Sequence, residues 1–118
     1  QLNKLSSIAW ESAKRIVLVT GIANPAPLLK YLTKFEKEIA HLKYPDHHSF
    51  TEKNILDMIE SVEEKEGSIL LTTEKDAMRL MGIEKLKKMP LFYLPITIQF
   101  QEEEEKFITL IKDYVANN

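Results

Sequence analysis

The residues best suited to chemistry stand in three short polar segments, of which Asp46-His47-His48 is the densest. A carboxylate beside an imidazole can orient the ring, fix its tautomer and raise its pKa, as a general base or an electrostatic partner requires. The segment could also offer metal ligands, but no second group of Asp, Glu or His follows at ligand spacing, so we predict no metal site. Alternatively, Asp46 and Ser49 cap a turn and both histidines lie in solvent.

The second segment runs from Thr73 to Asp76, two residues whose spacing is that of a helix-capping box. Lys75 is unexpected in the first turn of a helix, because a cation there opposes the helix dipole. Either a phosphate bound at this helix N-terminus favours it, or it forms a salt bridge with Asp46 or a Glu. Arg79 lies one turn further on and could pair with Asp76 in both cases.

The third segment comprises Gly21 to Pro25, in which Asn24 is a predicted helix N-cap and Pro25 suits a first turn. Gly21 ahead of a capped helix could cradle an anion with backbone N–H groups, although this spacing is also a common way to begin a helix. Neither G-x-x-x-x-G-K-[ST] nor G-x-G-x-x-G occurs, and the chain has 3 glycines in all. If the chain acts on a nucleotide, the groups that bind the phosphates must therefore lie outside any glycine-rich loop of this sequence.

Alternating strands and helices must position these segments. Apolar and β-branched runs predict four strands, and helical spacing predicts four helices, after a short amphipathic piece near Ile8 and Trp10. The strands are predicted at 15–20, 38–44, 68–72 and 91–98, and the helices at 25–35, 51–65, 73–82 and 102–115. Ser49 and Glu52 have the form of a capping box for the second helix. The order predicts a Rossmann-like, three-layer αβα fold with a four-stranded, mainly parallel sheet.

All three polar segments follow the carboxyl end of a predicted strand. Parallel strands bring these ends to one edge of the sheet, where open α/β sheets bind ligands. By contrast, His41 falls midway along the predicted edge strand and is expected to be structural.

Composition limits the class of protein. The 118 residues fit one domain, here residues 1–118, with 16 Lys and Arg against 18 Asp and Glu and a net charge of −2. That balance argues against a nucleic-acid binder, and 0 cysteines exclude disulfide scaffolds and thiol nucleophiles. No aliphatic stretch approaches the ~20 residues of a membrane span. Because the chain begins with Gln1 and has no signal pattern, we expect that its start is processed or cut.

Taken in their order along the chain, the three segments resemble the C-terminal half of the tetraacyldisaccharide 4′-kinase (lipid A 4′-kinase) family of Gram-negative bacteria. The matching stretches are Val-Leu-Val-Thr-Gly-Ile-Ala-Asn-Pro, Tyr-Pro-Asp-His-His-Ser-Phe-Thr and Leu-Thr-Thr-Glu-Lys-Asp-Ala-Met-Arg-Leu. The resemblance covers roughly residues 14 to 98, and the predicted last helix is consistent with it.

The resemblance implies a two-lobe P-loop kinase at the cytoplasmic face of the bacterial inner membrane. With Mg²⁺, it transfers the γ-phosphate of ATP to the 4′-hydroxyl of tetraacyldisaccharide 1-phosphate, forming lipid IVA. The C-terminal lobe contributes a His that matches His47, with Asp46 beside it. Lys75 and Asp76 belong to the last of these three stretches and are expected at the cleft between the lobes, together with Thr73, Gly21 and Asn24.

The N-terminal lobe of that family, which carries the phosphate loop and the metal-binding acids, has no counterpart in this sequence. We therefore expect the chain to be one lobe of a longer enzyme, inactive by itself and binding neither ATP nor Mg²⁺ alone. Its expected partners are the N-terminal lobe and the lipid A disaccharide precursor, with peripheral membrane contact mainly through the other lobe.

Two other classes of protein stay open on the residues alone. One is a non-catalytic α/β regulatory domain whose polar edge binds an anion or a partner. The other is a small phosphoesterase built around Asp46-His47-His48, which would need further metal ligands.

Overall fold

The computed structural model describes residues 3–94. They form a five-stranded sheet in the order β1-β5-β4-β2-β3, in which every pair of neighbouring strands is parallel. The strands are β1 (Asn3–Lys4), β2 (Arg15–Thr20), β3 (Glu38–Lys43), β4 (Ser68–Thr73) and β5 (Leu91–Leu94). The helices are α1 (Ser7–Ser12), α2 (Ala26–Leu32), α3 (Glu52–Glu63) and α4 (Glu74–Leu80), followed by one 3₁₀ turn, Glu84–Leu86.

The two central strands carry the core. All six residues of β2 and all six of β4 are buried, as their continuous apolar runs predict. Alternate side chains of β2 enter different clusters: Ile16 and Leu18 pack with Leu28 and Leu32 of α2, and Val17 and Val19 pack against α3 and α4. Helices therefore cover both faces of the sheet, which confirms the predicted three-layer αβα fold with a parallel sheet.

The predicted number of strands was wrong, because the sheet has five strands and not four. The additional strand, β1, pairs in parallel with β5, and Leu5 N donates to Tyr93 O at 2.9 Å. Strand β1 has two residues, Asn3 and Lys4, both exposed. So short and polar a segment has no hydrophobic periodicity for sequence analysis to detect.

Two helix starts also differ from prediction. The N-cap position of α2 is Pro25, and Asn24 instead accepts a weak 3.4 Å hydrogen bond from Ala26 N. Helix α3 is capped by Thr51 and Asn54, whose side chains each accept from the other's backbone N–H, so the predicted Ser49–Glu52 box was wrong. In the stretch 3–94, no helix combines the length and apolar character needed to cross a membrane.

Three predicted elements are not confirmed in full. Helix α2 ends at Leu32 and not at Phe35, although the Phe35 ring still packs edge-on against Trp10 and Tyr31. The predicted continuation of the fourth strand over 95–98 and the predicted helix over 102–115 lie outside the described residues.

Candidate functional site

The three polar segments meet at the carboxyl edge of the sheet, called here the carboxyl rim. Strands β2, β3 and β4 run in parallel and in register, so the loops that follow them begin side by side. Tyr44 N donates to Thr20 O at 2.7 Å, and Gly21 N donates to Asp76 Oδ2 at 2.8 Å. The predicted convergence of the segments is therefore present in the structure.

Asp76 is the centre of this convergence, with a side chain that is 0% exposed. Its Oδ2 accepts from Gly21 N and from Thr73 Oγ1, the latter at 3.0 Å, while Arg79 Nη1 lies 3.4 Å from Oδ1. Thr73 Oγ1 also accepts from Asp76 N at 3.1 Å, which caps α4 as predicted. Gly21, Thr73, Asp76 and Arg79 are called the Asp76 cluster below.

Gly21 is required by close packing in this cluster. A Cβ atom at this position would lie 3.0 Å from Asp76 Oδ1 and 3.4 Å from the carbonyl oxygen of Pro45. Both neighbours are held by other contacts, so a side chain here would push the Gly21 loop away from Asp76 and from Pro45. The glycine thus allows the loop backbone to approach a buried carboxylate.

His47 is attached to the cluster through both its backbone and its ring. Its N–H donates to Gly21 O at 3.2 Å, and its backbone φ of 59° is in the left-handed region, which non-glycine residues rarely adopt. Arg79 Nη2 lies 3.0 Å from His47 Nδ1. Nevertheless, 72% of the His47 side chain is exposed, so the ring is anchored but open to another molecule.

The contact with Arg79 bears on the tautomer of His47, because a guanidinium has donors only. A neutral imidazole that accepts from Arg79 at Nδ1 carries its ring proton on Nε2. His47 Nε2 lies 3.5 Å from Asp46 Oδ2, and it therefore presents a donor on the side of the carboxylate. In this arrangement Nε2–H can donate a hydrogen bond, but it cannot take a proton.

Asp46 and Lys75 form an ion pair across the rim. Lys75 Nζ lies 3.1 Å from Asp46 Oδ1, and each side chain is about one-third exposed (35% and 33%). The hydrogen bond from Lys75, together with its charge, holds the pKa of Asp46 below its usual value despite an opposing effect of desolvation. The salt bridge, one of the two roles predicted for Lys75, is thus present, and the phosphate contact stays a prediction.

The other two histidines have separate surroundings. The His48 ring stacks on Tyr44 with centroids 5.1 Å apart, and its Nε2 lies 2.7 Å from Asn54 Oδ1. His41 Nε2 lies 2.8 Å from Thr20 Oγ1, and burial, followed by the nearby charge of Lys43, lowers the pKa of His41. His48 anchors the rim loop to α3, and His41 makes the structural contact expected of it.

Most, but not all, of the predicted site residues come together. Asn24 is half-buried at the start of α2, and its side chain accepts from the backbone of that helix. Arg79 was foreseen as a partner of Asp76 and not as a contact of His47, and this second contact joins residues 32 positions apart. Over residues 3–94, no group of three or more His, Cys, Asp or Glu could hold a metal ion.

The sequence also matches known proteins. A family model described as tetraacyldisaccharide-1-P 4′-kinase matches residues 2–116. Among curated relatives, the tetraacyldisaccharide 4′-kinases of Flavobacterium psychrophilum and Phocaeicola vulgatus are 44% and 37% identical over 98% of the chain. The kinase of Bacteroides thetaiotaomicron is 39% identical over 87% of the chain.

The matched region is only part of each relative. The chain spans about a third of their length, 32% for the Flavobacterium psychrophilum protein and 33% for that of Phocaeicola vulgatus. No solved structure matches the chain significantly.

Proposed function

Because the chain belongs to the tetraacyldisaccharide 4′-kinase family, we propose that it is the C-terminal lobe of a lipid A kinase. The complete enzyme transfers the γ-phosphate of ATP to the 4′-hydroxyl of tetraacyldisaccharide 1-phosphate, forming lipid IVA. This lobe faces a P-loop lobe of the same polypeptide across the catalytic cleft. The carboxyl rim, with Asp46 and His47, forms its side of that cleft.

The observation that carries this proposal is the state of His47. Its ring is held by the Asp76 cluster and yet is mostly exposed, and the donor-only guanidinium of Arg79 beside Nδ1 suits the tautomer with a proton on Nε2. Such a group can donate a hydrogen bond to a carboxylate on the opposite lobe or to an oxygen of the sugar. Since Nε2 cannot accept a proton in this tautomer, we assign the removal of the hydroxyl proton to a group outside this chain and hydrogen-bond donation to His47.

The phosphate chemistry belongs to the other lobe in this proposal. Phosphoryl transfer depends on groups that position and neutralise the phosphates, and the sequence has neither type of glycine-rich phosphate motif. The described residues contain no acidic cluster suited to Mg²⁺, so no step is assigned to a metal held by this lobe. Lys75 and Asp76 then have unequal roles, because Lys75 is accessible from the cleft whereas Asp76 is buried.

Because its proposed substrate is a lipid, we assign the enzyme to the cytoplasmic face of the inner membrane, as a peripheral protein. Membrane contact is assigned mainly to the other lobe. A non-catalytic role in binding an anion or partner is the alternative, and it predicts that ATP consumption by the complete polypeptide does not depend on His47.

The test is a His47→Ala change in the complete polypeptide that contains this chain, assayed with ATP, Mg²⁺ and tetraacyldisaccharide 1-phosphate. We expect kcat/KM to fall at least tenfold, since a donor at the reacting centre is lost. His48→Gln is the matched control, because Gln can still hydrogen-bond Asn54, and we expect its kcat/KM to stay within threefold. A His47→Ala loss of less than about threefold, or ~0.7 kcal/mol of transition-state stabilisation, would refute the catalytic assignment.

A further inference from the structure

Arg79 makes contacts that a simple helix-stabilising residue would not need. From α4, its guanidinium reaches the carboxylate of Asp76, the carbonyl of Gly21 and the imidazole of His47, at 3.4, 3.4 and 3.0 Å. These three acceptors belong to the three polar segments of the carboxyl rim. The side chain is about a quarter exposed, at 24%, so it lies between the buried carboxylate and the open cleft.

The planar fork of a guanidinium suits this geometry. It presents five N–H donors in fixed directions and does not lose its charge, whereas a lysine ammonium is a compact point charge with three donors. Asp76 fixes one side of the fork, and Gly21 O receives both Arg79 Nη1 and the backbone N–H of His47. The carbonyl of Gly21 therefore contacts the backbone N–H of His47 directly and the ring of His47 through Arg79.

We propose that Arg79 is a positioning residue that holds His47 as the Nε2–H tautomer, with that N–H beside Asp46 and open to the cleft. The proposal deepens the function proposed above and rests on it, because this N–H is the group assigned to the reaction. Asp76 acts one step further back by orienting Arg79. Neither residue needs to contact substrate.

The direct measurement is the ¹⁵N spectrum of the imidazole nitrogens in the complete polypeptide labelled at histidine, with the His47 signals identified from their loss in His47→Gln. We expect the wild type to show an unprotonated Nδ1 and a protonated Nε2. In Arg79→Met, which removes every side-chain donor while keeping an unbranched side chain, we expect the population of the Nδ1–H tautomer to rise. A wild-type signal from the Nδ1–H tautomer would overturn the proposal, whether or not any variant folds.

The kinetic arm separates positioning from a purely structural role. We expect Arg79→Met to lower kcat about 10- to 100-fold with KM within threefold, because misplacing a group at the reacting centre acts on the transition state. Arg79→Lys retains a cation for Asp76 and a donor for His47, so we expect partial recovery of both kcat and the Nε2–H tautomer. Lys53→Met, at a side chain that is 82% exposed, is the control for loss of a cation and should change kcat less than twofold.

The outcomes distinguish the two proposals. A wild-type tautomer as expected, with an Arg79→Met enzyme as active as wild type, would overturn the positioning role and leave the kinase function standing. An inactive wild type with the expected tautomer would contradict the kinase function alone. A fall in kcat with an unchanged His47 spectrum would show that Arg79 acts by another route and would also overturn the proposal.

Discussion

Removing the carboxylate of Asp76 should destabilise the fold more than any single change at the exposed surface of the rim. In Asp76→Ala, the buried N–H of Gly21 and the buried hydroxyl of Thr73 lose an acceptor at 2.8 and 3.0 Å. Each buried donor left unpaired costs about 1–3 kcal/mol. Arg79 also loses its ion-pair partner, but it is partly exposed and can recover hydration. We therefore expect the free energy of unfolding to fall by about 3–5 kcal/mol, a large part of a typical domain's stability.

An isosteric change separates the hydrogen bonds from the charge. In Asp76→Asn, the amide oxygen can occupy the position of Oδ2 and keep both Gly21 N and Thr73 Oγ1 as donors. The amide NH₂ then faces Arg79, so one long, partly exposed contact of 3.4 Å is lost. The expected cost is about 1–2 kcal/mol, clearly smaller than for the alanine variant.

Urea unfolding measured by tryptophan fluorescence provides the assay, because Trp10 is the single tryptophan of the chain and is buried at 4% exposure. Trp10 packs in the cluster on the α1–α2 face of the sheet, so its signal reports unfolding of the whole layer and not of the rim alone. Asp57→Ala is the matched control: it removes a half-exposed carboxylate that pairs with Lys53 and should cost less than about 1 kcal/mol. The reasoning fails if Asp76→Ala costs less than about 1 kcal/mol, or if Asn is as harmful as Ala.

The parts of the fold that could be predicted from sequence are those with a local signal. Strands β2 and β4 are continuous apolar runs, and parallel pairing of such strands is what brings the polar segments to one rim. Strand β1 has no such signal, since its two residues depend on the backbone of β5 for their hydrogen bonds. The spacing of Ser49 and Glu52 predicted the cap of α3, but the N-cap is two residues later, at Thr51, whose backbone is extended with ψ of 168°.

The candidate site divides in the same way. Asp46, His47, Lys75 and Asp76 could be singled out by type and by position after strand ends. The contact between Arg79 and His47 could not, because it depends on how the loop after β3 folds over the start of α4. The left-handed backbone of His47 was equally hidden, since the sequence has no glycine or asparagine there to indicate a positive φ.

Two further predictions concern Gly21 and His41. In Gly21→Ala, the new Cβ meets Asp76 Oδ1 at 3.0 Å, so we expect a loss of about 1–3 kcal/mol by urea unfolding, and an unchanged midpoint would contradict the close packing described for this loop. His41 bonds Thr20 Oγ1, and burial, followed by the charge of Lys43, lowers its pKa, so the folded chain binds this proton more weakly than the unfolded chain. Its contribution to stability is therefore complete above the ordinary histidine value of about 6.5 and is lost as the pH falls through the lowered pKa. Because Gln can keep a hydrogen bond to Thr20 without titrating, His41→Gln should show a smaller loss of unfolding free energy than wild type between about pH 7 and pH 5. An identical pH dependence in the two proteins would mean that His41 is equally free to protonate in the folded and unfolded chains.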